Sequence, residues 1–133
     1  MAVLLDTDVM IHLRDGDPWV EEQVRQLAPP LHISAITRVE LENGVRREPE
    51  WAKLRRDALD QMLTVIATLD FGAEEIAAYA GILDAVGFSK RKTADRMTAA
   101  TAIALSTALV TLNGRDFRDI PGLKLIEWTR PEA

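Results

Sequence analysis

The chain alternates short, wholly apolar runs with longer stretches in which apolar side chains recur every three or four residues. Ala2 to Leu5 is the first short run; no polar residue interrupts it, which predicts a strand buried on both faces. Asp8 through Leu13 predicts a helix, stopped by Asp15-Gly16-Asp17-Pro18. A second helix runs from Pro18 to Leu27, with proline at a permitted first-turn position. Pro29-Pro30 ends it, and Leu31-His32-Ile33 predicts a short strand. Ser34-Ala35-Ile36-Thr37 opens a helix capped by Ser34 or Thr37, with Ile36, Val39 and Val45 as its buried stripe and Gly44 allowing close approach near its end. Glu48-Pro49 restarts a longer helical pattern whose apolar side is Leu54, Ala58, Leu59, Met62 and Leu63, followed by a strand at Val65-Ile66-Ala67.

In the second half, Ala73 to Val86 predicts a helix packing through Ile76, Ala77, Ala80, Leu83 and Ala85 and terminated by Gly87. Thr93 is the expected cap of the next helix, which buries Met97, Ala100, Ile103 and Ala104. The small Ala99 and Ala102 let it approach the central strand. Ala108 to Leu112 is another buried strand, Asn113-Gly114 and Pro121-Gly122 are turns, and Leu123 to Trp128 is an edge strand. Short apolar strands exchanged with longer helices predict a three-layer α/β/α sandwich around a mostly parallel sheet, in a single domain spanning residues 1–133.

That architecture changes the meaning of four acidic residues. Asp6 and Asp116 follow the apolar runs ending at Leu5 and Leu112, while Glu40 and Asp95 lie near the starts of two helices. In parallel sheets the carboxyl ends of strands and the amino ends of helices share one edge, where ligands bind. Four carboxylates at that edge repel one another unless a cation neutralises them. For an all-oxygen site the cation is Mg²⁺ or Mn²⁺, and the matching substrate carries phosphate. Each acid also has a plain structural role: strand-end cap for Asp6, capping box with Thr37 for Glu40, helix-start residue for Asp95, turn former for Asp116.

Composition narrows the chemistry further. The 133 residues contain no cysteine, so disulfides, thiolate metal sites and a cysteine nucleophile are excluded. The first apolar run stops at Asp6, too early for a signal peptide, and no apolar stretch has membrane length; a cytoplasmic protein is expected. The formal charge of -5 masks basic groups at Arg46-Arg47, Lys53-Arg55-Arg56 and Lys90-Arg91-Lys92. These fit a modest phosphate-contacting rim rather than a large DNA-binding surface.

The motif segments resemble the PIN-domain family, especially the small bacterial toxin ribonucleases of type II toxin–antitoxin pairs. They are Leu4-Leu5-Asp6-Thr7-Asp8-Val9-Met10; Ser34 to Leu41 with Gly44; Asp95 to Ala102; and Leu109 to Asn113 with Asp116-Phe117 and Gly122-Leu123. Thr98 stands where the family commonly has an aliphatic residue, Asp8 where it often has asparagine, and Lys90-Arg91-Lys92 is unusually basic. The resemblance implies a Mg²⁺- or Mn²⁺-dependent endoribonuclease with Asp6, Glu40, Asp95 and Asp116 as its catalytic and metal-holding acids. Asp6 and Asp95 are the expected direct ligands, and Glu40 binds through water or orients the attacking water. Asp8, Thr111 and Asn113 are candidates for holding this set, and Arg96, Arg115 and Arg118 for touching phosphate. Trp19 and Trp51 are candidates for stacking on bases or meeting a protein, and His12 for the cleft margin. The implied partners are RNA, a cognate antitoxin, a second toxin copy in a homodimer and a toxin–antitoxin hetero-oligomer, with no membrane. Two alternatives compete. Asp6-Thr7-Asp8 also resembles the acid pair of haloacid dehalogenase-like phosphatases, although Val9-Met10 lacks that family's continuation. The other is a non-catalytic PIN-like protein-binding module.

Overall fold

The computed structural model describes residues 2–131. Five strands, β1 (Val3–Leu5), β2 (Leu31–Ser34), β3 (Ile66–Leu69), β4 (Ala108–Thr111) and β5 (Lys124–Glu127), form one sheet in the order β3-β2-β1-β4-β5. Every pairing is parallel. Six helices surround it: α1 (Thr7–Arg14), α2 (Pro18–Arg25), α3 (Ala35–Arg47), α4 (Ala52–Met62), α5 (Ala73–Val86) and α6 (Thr93–Ala104).

The alternating direction of strand side chains produces the layers. Val3 and Leu5 of β1, with Ala108 and Val110 of β4, meet Val9, Met10, Val20, Leu41, Val45 and Leu59 from α1 to α4. Leu4 and Leu109 point the other way, onto Ile82 of α5, Ala99, Ala100 and Ala102 of α6, and Phe117 and Ile120. Leu4, Leu5, Ile33 and Leu109 are fully buried, and each contributes roughly 1.5–3 kcal/mol relative to exposure.

The chain moves outward from β1 to β3, then returns through α5 and α6 to place β4 against β1. Strand order therefore reverses between β1 and β4, and above that reversal a parallel sheet leaves a crevice.

Several expected faces are corrected. Ser34 caps α3 by accepting the Thr37 N–H, so Glu40 is not part of a capping box and lies one turn inside the helix. Val39 is 59% exposed, and Thr37, Leu41 and Val45 form the buried stripe instead. Leu54 is exposed, while Leu59 anchors α4. In α5 the buried side is Ile82 with Ala78, Tyr79 and Val86, whereas Ile76, Ala77, Ala80 and Ala85 face outward. Thr93 lies inside α6 and bonds the Ser89 carbonyl rather than capping the helix; Lys92 occupies the cap position.

Candidate active site

The crevice above β1 and β4 gathers the acidic residues, each delivered by a different element. Asp6 ends β1 and caps α1: its Oδ1 accepts the Thr7 N–H at 2.8 Å and its Oδ2 accepts the Thr111 hydroxyl at 2.8 Å. Its capping role and its place in the cluster therefore coexist. Asp8, in the first turn of α1, accepts the Leu112 N–H at 3.2 Å and lies 3.3 Å from Thr111 Oγ1. Thr111 has one hydroxyl proton for the two carboxylates. Its oxygen also accepts the Asn113 N–H at 3.0 Å, and Asn113 in turn donates from Nδ2 to Asp116 Oδ2 at 2.6 Å. Thr111 and Asn113, expected to hold the acidic set, do touch it.

Glu40 is oriented by hydroxyls. Thr7 donates to Glu40 Oε1 at 2.6 Å, which leaves Thr37 to donate to Thr7 at 2.9 Å. Ser34 donates to Thr37 at 3.3 Å, so Thr98 donates to Ser34 at 3.2 Å. Four hydroxyls from α6, β2, α3 and α1 thus form one directed chain ending on Glu40, and each bond polarises the next. Thr98, which stands at the start of this chain, is buried with its hydroxyl satisfied. Ser34, Thr7 and Thr37 were not singled out in the sequence as site residues, although their hydroxyls at strand ends and helix starts were visible there.

The electrostatics show that the acids share one space. Burial pushes Asp6 up to about 7, with Asp8 and then Asp95 adding to the rise, against the bonds from Thr111 and Thr7. Burial also raises Asp8. Asp95, half-buried in the first turn of α6, is pushed up to about 6 by desolvation, then by Asp116, Glu40 and Asp8, while Lys92 opposes the rise. Asp95 therefore faces acids brought by α1, α3 and the turn after β4. Among the described residues, no three carboxylates form a ready-made cage around one ion. This donor set fits Mg²⁺, which keeps most of its waters and takes one or two carboxylates directly.

The profile of the PIN domain matches residues 3–123. The chain belongs to the PIN-domain family. It is 32% identical over 131 residues to Ribonuclease VapC1 of Rickettsia felis, covering 95% of this chain and 96% of that one. It is 29% identical, with the same coverage, to Ribonuclease VapC of Rickettsia bellii. Among solved structures it resembles VapBC2 of Rickettsia felis bound to a promoter DNA fragment, with TM-score 0.84, 26% identity and coverage of 96% and 99%. It also resembles VapBC-1 of nontypeable Haemophilus influenzae, with TM-score 0.78, 26% identity and coverage of 98% and 100%. Membership of this family sets aside the phosphatase alternative.

The remaining candidates divide sharply. Arg96 is 3% exposed and donates to the Gly87 carbonyl at 2.7 Å, so it is a buried strut rather than a phosphate contact. Arg118 is bound to Glu127, whereas Arg115 is exposed. Trp19 packs edge-on against Trp128 beneath Arg130, which occupies the face a base would need. His12 lies at the surface 3.3 Å from Asp17, and His32 sits in β2 opposite Leu4. Glu127 was not foreseen: its exposed carboxylate, held by Arg118, occupies the space a β-carbon on Gly114 would need, beside the turn carrying Asp116.

Proposed function

We propose that this single domain is a Mg²⁺- or Mn²⁺-dependent endoribonuclease and the toxin of a toxin–antitoxin pair, acting on RNA in the cytoplasm. The observation carrying this reading is the convergence of Asp6, Asp8, Glu40, Asp95 and Asp116 at the reversal point of a parallel sheet, with Asp6 and Asp95 raised by burial and then by the neighbouring acids. A bound divalent ion supplies an acidified water and charge stabilisation for a phosphate. Asp6, Asp95 and Asp116 would hold it, and Glu40, aimed by Thr7, would orient a water toward the phosphate. Thr111 and Asn113 keep Asp6 and Asp116 in place.

The names of the relatives support the ribonuclease assignment, and those of the VapBC complexes support an antitoxin partner. A groove of about 380 Å³ leads away from Thr7 and Glu40 and meets a second of about 440 Å³ bordered by Trp51 and Leu54. That half-apolar path suits an antitoxin segment. The outward face of α5, with Ile76, Ala77 and Ala80, suits a second toxin copy. The test is RNA cleavage by wild type and Asp6→Asn in Mg²⁺ and in EDTA. Cleavage only by wild type with metal is expected; equal cleavage by the folded variant refutes the assignment.

A further inference from the structure

The segment joining α5 to α6 has a chemistry that the acidic cluster does not use. Phe88 is 76% exposed, and Lys90 and Arg91 are exposed beside it. Among the described residues neither cation has an ion-pair partner, although most arginines in this chain do. Lys92 continues the run inward, lying near enough to Asp95 to oppose the rise in its pKa and 3.7 Å from Asp119. The segment thus leads from solvent to the lip of the acidic crevice.

Its shape is held from below. The buried Arg96 guanidinium binds the Gly87 carbonyl, the Lys92 N–H bonds the Ser89 carbonyl at 3.2 Å, and the Thr93 N–H bonds the Lys90 carbonyl at 3.3 Å. An exposed phenyl ring and two unpartnered cations are therefore presented on a braced turn. A polyanion approaching an acidic pocket on a chain of net charge -5 needs a local positive contact. A lone aromatic beside cations matches a strand whose bases are unpaired: the ring stacks on a base while the cations meet flanking phosphates.

We infer that the Phe88–Lys92 turn is a binding site for single-stranded RNA, with Phe88 stacking on one base and Lys90 and Arg91 contacting the phosphates next to the scissile bond. The inference rests on the ribonuclease reading above and names the surface that receives its substrate.

The test uses the full chain with Phe88→Ala, the double variant Lys90→Gln/Arg91→Gln, and Arg91→Lys. Cleavage of an unstructured, end-labelled RNA oligonucleotide is followed in Mg²⁺. Binding of the same oligonucleotide is measured by anisotropy at several salt concentrations, in the Asp6→Asn background that prevents turnover. Phe88→Ala is expected to weaken binding on the order of ten-fold. The double variant should lower the slope of log affinity against log salt by about 1.4, the value for two phosphate contacts on a single strand. KM should rise while kcat and Mn²⁺ affinity hold, and Arg91→Lys should retain the salt slope. If wild type cleaves RNA and the variants bind it with unchanged affinity and slope, the inference fails alone. If wild type neither binds nor cleaves RNA in Mg²⁺, the ribonuclease reading fails and takes the inference with it. Loss of affinity for a protein partner with RNA binding intact also overturns it.

Discussion

Without a metal ion, the acidic crevice should oppose folding, and Asp6→Asn should relieve that opposition. Asp6 is buried and its pKa is raised to about 7, so the folded state binds its proton more tightly than the unfolded chain does. For a raised carboxylate the favourable contribution is complete below the unfolded value near 4 and is lost as pH climbs through 7. At pH 8 the full difference amounts to about 4 kcal/mol, and relaxation around the charge reduces it to about 2–4 kcal/mol. Asparagine removes the ionisation, while its Oδ1 can still accept the Thr7 N–H and its amide can face Thr111. With the entropy of unfolding expected for a chain of this length, the gain corresponds to a Tm roughly 10 °C higher. Thermal unfolding in EDTA at pH 8 and pH 4 checks this: the variant should exceed wild type at pH 8 and lead by under about 1 kcal/mol at pH 4. Saturating Mg²⁺ should restore wild type and leave the variant almost unchanged. A variant no more stable than wild type at pH 8, or one with the same advantage at both pH values, refutes the reasoning.

Thr111→Val deletes the hydroxyl that binds Asp6 at 2.8 Å and lies against Asp8. Mn²⁺ affinity should fall about ten-fold and its pH midpoint should move upward, as titrations across pH will show. Gly114→Ala pushes aside the end of the exposed Glu127 side chain and frees Arg118 but leaves the backbone bearing Asp116 in place; kcat/KM should stay within about two-fold of wild type, as steady-state RNA cleavage will show. Arg96→Ala removes the buried donor to Gly87, and urea unfolding should register a loss of about 2–3 kcal/mol.

The outline of this molecule could be read in advance because its strands are unusually plain. Leu4-Leu5 and Leu109-Val110 are apolar without interruption, and a carboxylate after the first and an asparagine after the second marked both ends of the crevice. Helix faces were harder. In α5, alanine, isoleucine and leucine occur on every side, so periodicity could not choose between the Ile76 and Ile82 faces; contact with α6 decides for Ile82. Charge alone suggested that Arg96 meets RNA, because sequence does not reveal that the first turn of α6 buries it. The directed bond from Thr7 to Glu40 and the approach of Glu127 to Gly114 join residues distant in the chain, and only the folded sheet brings them together.

The most direct test of the shared acidic pocket is a Mn²⁺ titration, followed calorimetrically at neutral pH, of wild type and of Asp6→Asn, Glu40→Gln, Asp95→Asn and Asp116→Asn. Wild type should bind Mn²⁺, and every substitution should weaken that same event, with Asp6→Asn and Asp95→Asn the most severe. Folded variants that bind Mn²⁺ as wild type does, or a folded wild type that binds none, would contradict the account.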